Sequence, residues 1–229
     1  MTKIYCDTSN LKDIKYSIKK FKIDGVTTNP SIMRNEGVKD YKNHCLKILK
    51  ISKNIPLSVE VFADKDDEII KQAIKISKWS KSIFVKVPVI NTSGKFLKKV
   101  ISNLNKEKIK LNITAIFTIK QLMQIEKCID NRTPVIISIF SGRIADTGIS
   151  PLILCLYTTK LFQKNKNIQI LWASTREIYN IFEAEQCNCD IITIPESIYQ
   201  KLHLINKNLD EYSKETVQQF INDGKSLSL

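Results

Sequence analysis

Lys86 stands in the run Phe84-Val85-Lys86-Val87-Pro88, an amine set among apolar residues. A lysine amine attacks a carbonyl only when deprotonated, and its ordinary pKa of about 10.4 must be lowered by an apolar pocket or a second cation. Ile83, Phe84, Val85, Val87 and Pro88 supply the low polarity. The iminium that forms is an electron sink, so a neighbouring C–C bond can break, and that step needs a base for the substrate hydroxyl proton. The chain has two histidines, His44 and His203, and neither falls at the end of a predicted strand. Acid–base work therefore falls to carboxylates. Taken singly, a lysine in an apolar strand snorkels to the surface or makes a structural ion pair; the convergence of Asp7, Glu60 and Thr114 on Lys86 favours chemistry instead.

These residues share a frame that the hydrophobic pattern reveals. Short runs rich in β-branched residues predict strands near Lys3–Asp7, Gly25–Asn29, Leu57–Phe62, Ile83–Pro88, Lys110–Phe117, Val135–Phe140, Ile168–Ser174 and Asp190–Pro195. Helix-period segments separate them. Leu11, Ile14, Ile18 and Phe21 follow Asn10 as N-cap, and Val38, Tyr41, Cys45, Ile48 and Leu49 form another stripe. Thr118 with Gln121 reads as a capping box, and Ser150-Pro151 as an N-cap followed by Pro at the first helical position. Leu209–Asp223 predicts a closing helix with Gly224 as its stop. Eight βα units without a linker or low-complexity segment predict one α/β domain over residues 1–229, a closed (β/α)8 TIM barrel with a C-terminal helix at about 209–224. An open doubly wound sheet is the second choice, but it usually has a Gly-rich first turn; there is no GxGxxG or P-loop motif among six glycines.

A barrel of this kind works at the C-terminal ends of its strands. Alternation places polar residues at that end of seven of them: Asp7, Asn29, Glu60, Lys86, Asn112 with Thr114, Ser138 with Phe140, and Ser174. Such positions otherwise hold Val, Ile and Leu.

The net charge of +13 is almost all lysine, with only Arg34, Arg132, Arg143 and Arg176 as arginines. The lysines scatter along helical faces rather than gathering into one basic block, so a solvated surface is expected and a nucleic-acid partner is not. Six cysteines, Cys6, Cys45, Cys128, Cys155, Cys187 and Cys189, are expected as buried reduced thiols, which fits a cytoplasmic protein. Cys187 and Cys189 are too close for the usual zinc spacing, and no metal site is expected. Lys3-Ile4-Tyr5-Cys6-Asp7 begins a strand at once, so neither a secretory leader nor a membrane span is expected.

Together, Asp7-Thr8, Asp24 to Ser31 (Asp-Gly-Val-Thr-Thr-Asn-Pro-Ser), Val59-Glu60-Val61, Val85-Lys86-Val87-Pro88, Asn112-Ile113-Thr114, Ser138 to Arg143 (Ser-Ile-Phe-Ser-Gly-Arg) and Ala173-Ser174-Thr175-Arg176 resemble the transaldolase family. The likeness is to its small single-barrel branch, which includes the fructose-6-phosphate aldolases, and it runs in order along nearly the whole chain. The resemblance implies a class I aldolase-like barrel needing no cofactor. It implies Lys86 as the Schiff-base lysine, Asp7 as the acid–base partner, and Glu60 with Thr114 as holders of a catalytic water. Asn29, Asn112 and Ser138 would bind substrate hydroxyls, and Arg143, Ser174 and Arg176 the phosphate of a sugar-phosphate substrate. The phosphate assignment also makes sense chemically, since guanidinium suits bidentate phosphate recognition. The family's small members form rings through terminal helices, so the resemblance also implies a homo-oligomer.

Family members that release free dihydroxyacetone resemble this chain but typically carry Gln and Tyr at the positions of Glu60 and Phe140. The resemblance thus favours transfer of dihydroxyacetone between sedoheptulose 7-phosphate and glyceraldehyde 3-phosphate over fructose-6-phosphate aldolase chemistry. Trp172 and Ala145 depart from the family pattern; neither is expected to touch the catalytic core, but both are positions that could alter acceptor choice, which leaves a different sugar-phosphate acceptor open. A non-catalytic sugar-phosphate-binding barrel is the rival of another class.

Overall fold

In the computed structural model, which describes residues 2–130 and 132–227, eight parallel strands close into a barrel in the order of the sequence. The strands are β1 (Lys3–Asp7), β2 (Gly25–Thr27), β3 (Leu57–Glu60), β4 (Ile83–Pro88), β5 (Leu111–Ile116), β6 (Val135–Ile139), β7 (Ile168–Trp172) and β8 (Ile191–Ile194). The helices are α1 (Leu11–Phe21), α2 (Pro30–Asn35), α3 (Tyr41–Ile51), α4 (Asp66–Ser77), α5 (Lys98–Lys106) and α6 (Ile119–Glu126). They continue as α7 (Ser141–Ala145), α8 (Leu152–Phe162), α9 (Tyr179–Gln186), α10 (Glu196–Tyr199) and α11 (Leu209–Gly224).

Parallel strands are covered on both faces, which is why they read as nearly continuous Val, Ile and Leu. The outer faces pack with the helices into one large cluster that includes Val59, Val85, Val87, Ile113, Ile137, Ile139 and Trp172. Inside the barrel, Tyr5, Phe84, Ile136, Leu171, Ala173 and Ile191 form a second, smaller plug. Tyr5 lies opposite Gly25 in register, and a Cβ on Gly25 would sit 2.5 Å from the tyrosine ring. Gly25 is therefore the space that admits the ring. This apolar plug closes the lower barrel and leaves its upper end to polar residues.

Several helices begin where the sequence says they should. Asn10 accepts from the backbone of Lys12 and Asp13 at the start of α1, and Thr118 with Gln121 makes the full capping box on α6. Caps of this kind contribute about 1 kcal/mol each. Pro151 is itself the cap residue of α8, with Leu152 first in the helix and no side-chain cap, so the expected Ser150 cap is displaced by one residue. Gly224 is the last helical residue of α11 rather than a stop beyond it.

Six strands end sooner than their apolar patterns suggest. β2 stops at Thr27 because Asn29 caps α2 through Ile32, with Pro30 as the first helical residue. β7 stops at Trp172 ahead of Ser174, which is left-handed at φ 64°. β5 carries a register shift between Ile113 and Ile116, with Ala115 at φ 58°. All six cysteines are buried free thiols. Among the described residues, no helix is long and apolar enough to cross a membrane.

Candidate active site

The upper end of the barrel opens into a cavity of ≈ 550 Å³. All eleven residues singled out from the sequence line it: Asp7, Asn29, Glu60, Lys86, Asn112, Thr114, Ser138, Phe140, Arg143, Ser174 and Arg176. Strand parity explains the convergence of Asp7, Glu60, Lys86, Asn112, Thr114 and Ser138, since residues two apart on one strand share a face, while Asn29, Phe140, Arg143, Ser174 and Arg176 follow the ends of β2, β6 and β7. The register also sets neighbours, with Glu60 opposite Lys86 and Lys86 opposite Asn112.

Lys86 is the only buried lysine among the described residues. Its Nζ donates to the Thr28 carbonyl at 2.8 Å and lies 3.1 Å from Glu60 Oε2. Asp7 keeps part of its surface open to the cavity but is enclosed by protein on its other sides. That desolvation pushes its carboxyl above the usual carboxylate range; the hydrogen bond from Thr27 and the charge of Lys86 oppose the rise, and Glu60 adds to it. A carboxyl whose proton is held more tightly than usual is suited to accept a substrate proton and return it.

A hydroxyl and amide chain crosses the floor. Ser138 Oγ donates to Asn112 Oδ1 at 2.7 Å, and Asn112 Nδ2 donates to Ser58 Oγ at 3.0 Å. Thr114 Oγ1 is buried with no protein partner, so it remains available to a polar group entering the cavity. Asn29 spends its Oδ1 on the α2 cap, at 2.9 Å from Ile32 N, and only its amide nitrogen is left to reach a ligand.

The far rim is cationic. Arg143 stacks on Phe140, 5.4 Å from the ring centre, and Phe140 packs on Phe117. Arg176 is held by Asp146 at 2.6 Å, with both side chains half-exposed. An exposed pair of this kind is weak and exchanges readily for another anion. The two arginine-bearing segments touch through Gly142, whose N–H donates to the Ala173 carbonyl. A Cβ on Gly142 would come within 1.6 Å of the Ser174 carbonyl oxygen.

Sequence reasoning missed Thr27 and Thr193. Thr27 Oγ1 donates to Asp7 at 2.7 Å and lies 2.5 Å from Thr193 Oγ1, so β8 contributes to the site as well. For Thr193 the signal was present, a lone Thr inside an apolar strand, while Thr27 stands beside Thr28 and is told apart from it only by parity. Trp172 is buried in the outer layer between strands and helices, and Ala145 is exposed on α7; neither lines the cavity, to which Leu171 of β7 and Ala173 just after it contribute instead. Arg132 pairs with Asp130 on the surface, as expected for an arginine outside the site. Among the described residues, no three His, Cys, Asp or Glu side chains are grouped to hold a metal ion.

A family model described as Transaldolase/Fructose-6-phosphate aldolase matches residues 4–229. A probable transaldolase 2 of Listeria monocytogenes is 31% identical over 217 residues, covering 93% of this chain and 95% of its own. A probable transaldolase of Lactiplantibacillus plantarum is 32% identical over the same shares of both chains. Among solved structures, 3-hexulose-6-phosphate synthase from Salmonella typhimurium superposes with a TM-score of 0.58 at 12% identity, covering 87% of this chain and 91% of that one. At that identity the likeness shows the barrel fold alone.

Proposed function

The chain belongs to the transaldolase/fructose-6-phosphate aldolase family, and on that premise we propose that it moves a dihydroxyacetone unit between sugar phosphates through a Schiff base on Lys86. The donor is sedoheptulose 7-phosphate and the acceptor glyceraldehyde 3-phosphate, giving erythrose 4-phosphate and fructose 6-phosphate. One observation carries this reading: the only buried lysine among the described residues faces the same cavity as two carboxylates, one of them 3.1 Å from its nitrogen and the other raised in pKa by burial.

Glu60 is placed to take a proton from Lys86, freeing the amine to attack the donor ketone at C2. The carbinolamine then loses water to give the iminium. Glu60 and the unpartnered Thr114 hydroxyl serve as holders of that water. Asp7 takes the proton from the C4 hydroxyl as the C3–C4 bond breaks, and the electron pair passes into the iminium to leave an enamine on Lys86. The aldose phosphate departs. The enamine attacks the acceptor aldehyde, Asp7 returns its proton to the new hydroxyl, and hydrolysis of the second iminium restores Lys86.

Asn29, Asn112 and Ser138 bind the sugar hydroxyls, and Arg143, Ser174 and Arg176 the phosphate. The phosphate displaces Asp146 from Arg176, or shares it. Glu60 and the apolar Phe140 support transfer over release of free dihydroxyacetone. By the same family premise the protein is a homo-oligomer.

Borohydride trapping with fructose 6-phosphate, read by mass spectrometry, tests the reading. A dihydroxyacetone-sized or whole-sugar adduct is expected on the Lys86 peptide and absent from Lys86→Met. No adduct with this sugar or with sedoheptulose 7-phosphate would return the chain to a sugar-phosphate-binding barrel. Free dihydroxyacetone released without an acceptor, at a rate comparable to transfer, would instead make it a fructose-6-phosphate aldolase.

A further inference from the structure

The ladder between β2 and β3 breaks off beside Lys86, and the break has a defined chemistry. Val26 N donates to the Pro56 carbonyl and Thr28 N to the Ser58 carbonyl, the alternating bonds of a parallel pair. One step further, the same pattern would send the Glu60 N–H to the Thr28 carbonyl and leave the Glu60 carbonyl to accept from the N–H of residue 30. Residue 30 is proline and has no N–H. The Glu60 N–H is also diverted, donating to the Tyr41 hydroxyl at 3.1 Å. That hydroxyl in turn donates to the Glu60 carbonyl at 3.0 Å. One phenol thus satisfies both ladder groups of Glu60, and the Thr28 carbonyl accepts the Lys86 amine instead.

We propose that Tyr41 is a positioning residue: by closing the β3 ladder in place of β2, its hydroxyl releases the Thr28 carbonyl to hold Lys86 and fixes the strand end that carries Glu60. The inference rests on Lys86 being the imine-forming group.

The phenol is itself well held. Tyr41 is the first residue of α3, which Asp40 caps. Its ring packs on Phe62 with centres 4.6 Å apart and meets Trp79 edge-on at 6.0 Å. Tyr41 does not line the cavity, so it acts on the reaction through backbone groups. Thr28 Oγ1 donates to the Ser58 carbonyl, which anchors the other side of the break. The Lys86 amine is thereby fixed between two acceptors, the Thr28 carbonyl and the Glu60 carboxylate.

Removing the hydroxyl leaves the Glu60 carbonyl without a partner and lets the Glu60 N–H turn to the Thr28 carbonyl, in competition with Lys86. Tyr41→Phe is expected to lower kcat about tenfold while KM stays within about twofold, because no substrate contact is lost. The rate at which borohydride traps the imine should fall in parallel, per mole of protein shown to be folded by circular dichroism. Wild-type kcat and wild-type trapping rate in folded Tyr41→Phe would overturn the proposal, as would a loss confined to melting temperature. Should Tyr41→Phe not fold, Phe62→Ala carries the test: it removes an exposed ring contact and keeps the hydroxyl, and a fall of about threefold in trapping rate is expected. An unchanged rate there would overturn the proposal. Failure of wild type itself to trap any adduct is a separate result, which removes the imine premise and the proposal with it.

Discussion

Asp7 is asked to be both a base and a buried group. A carboxyl whose folded-state pKa is raised binds its proton more tightly when folded than when unfolded. Its contribution therefore favours folding at low pH and is lost as pH rises through the folded value. Asp7→Asn removes the charge but keeps a polar group beside Thr27. It is expected to melt higher than wild type at pH 7.5, with the gap closing as pH falls toward 4. The same variant should lose about 10²- to 10⁴-fold in kcat while still forming a trappable adduct on Lys86. Calorimetry across pH and turnover assays read the two effects separately. A variant that melts lower than wild type at pH 7.5 would mean that the hydrogen bond to Thr27 outweighs desolvation. At this scale the sequence was legible wherever parity decides, as for Glu60 and Lys86, 26 positions apart in the chain but paired across neighbouring strands. Tyr41 could not be read this way. Its stripe in α3 marks it as core, and nothing local says that its hydroxyl ends another element's ladder.

Strand and helix boundaries show a similar limit. The apolar pattern runs on through Val61 and Phe62 after β3 has stopped: Val61 is buried and still donates to the Lys86 carbonyl, whereas Phe62 is exposed and its N–H turns to the Gln72 side chain. Helices α2, α7 and α10 have six, five and four residues, too few to display a 3.6-residue period, and all were unforeseen. α7 matters most, because it carries Arg143 and packs through Gly142 against the segment that carries Arg176. Ser174 already holds a left-handed backbone at this contact. A methyl group on Gly142 cannot be accommodated against a backbone carbonyl by a side-chain rotation. Gly142→Ala should therefore cost about 1–3 kcal/mol of stability. It should also raise KM for phosphorylated donors at least tenfold, with a smaller effect on kcat, because the arginines separate while Lys86 stays in place. Steady-state kinetics with phosphorylated and unphosphorylated donors distinguish the two: equal KM increases for both would remove the phosphate assignment.

For the whole molecule, eight alternating units were enough to read a closed barrel, since every apolar strand run is followed by helix before the next one. What the molecule does with α11 is a different matter. The helix has no buried residue along its 16 positions. Yet Leu209, Tyr212, Val217, Phe220 and Ile221 recur at helical spacing and are 80%, 42%, 53%, 66% and 56% exposed. An apolar stripe of that length on water is unfavourable in a monomer. The proposed homo-oligomer would cover it. Sedimentation at micromolar concentration is expected to give an oligomer for wild type and a monomer for the double variant Phe220→Asp, Ile221→Asp. The variant should still form the Lys86 adduct, because none of the eleven cavity residues belongs to α11. A wild-type monomer would leave the stripe to another partner. An oligomer that survives both aspartates would place the contact on another face, where Ile149, Ile153 and Leu156, near the start of α8, form the next exposed apolar group.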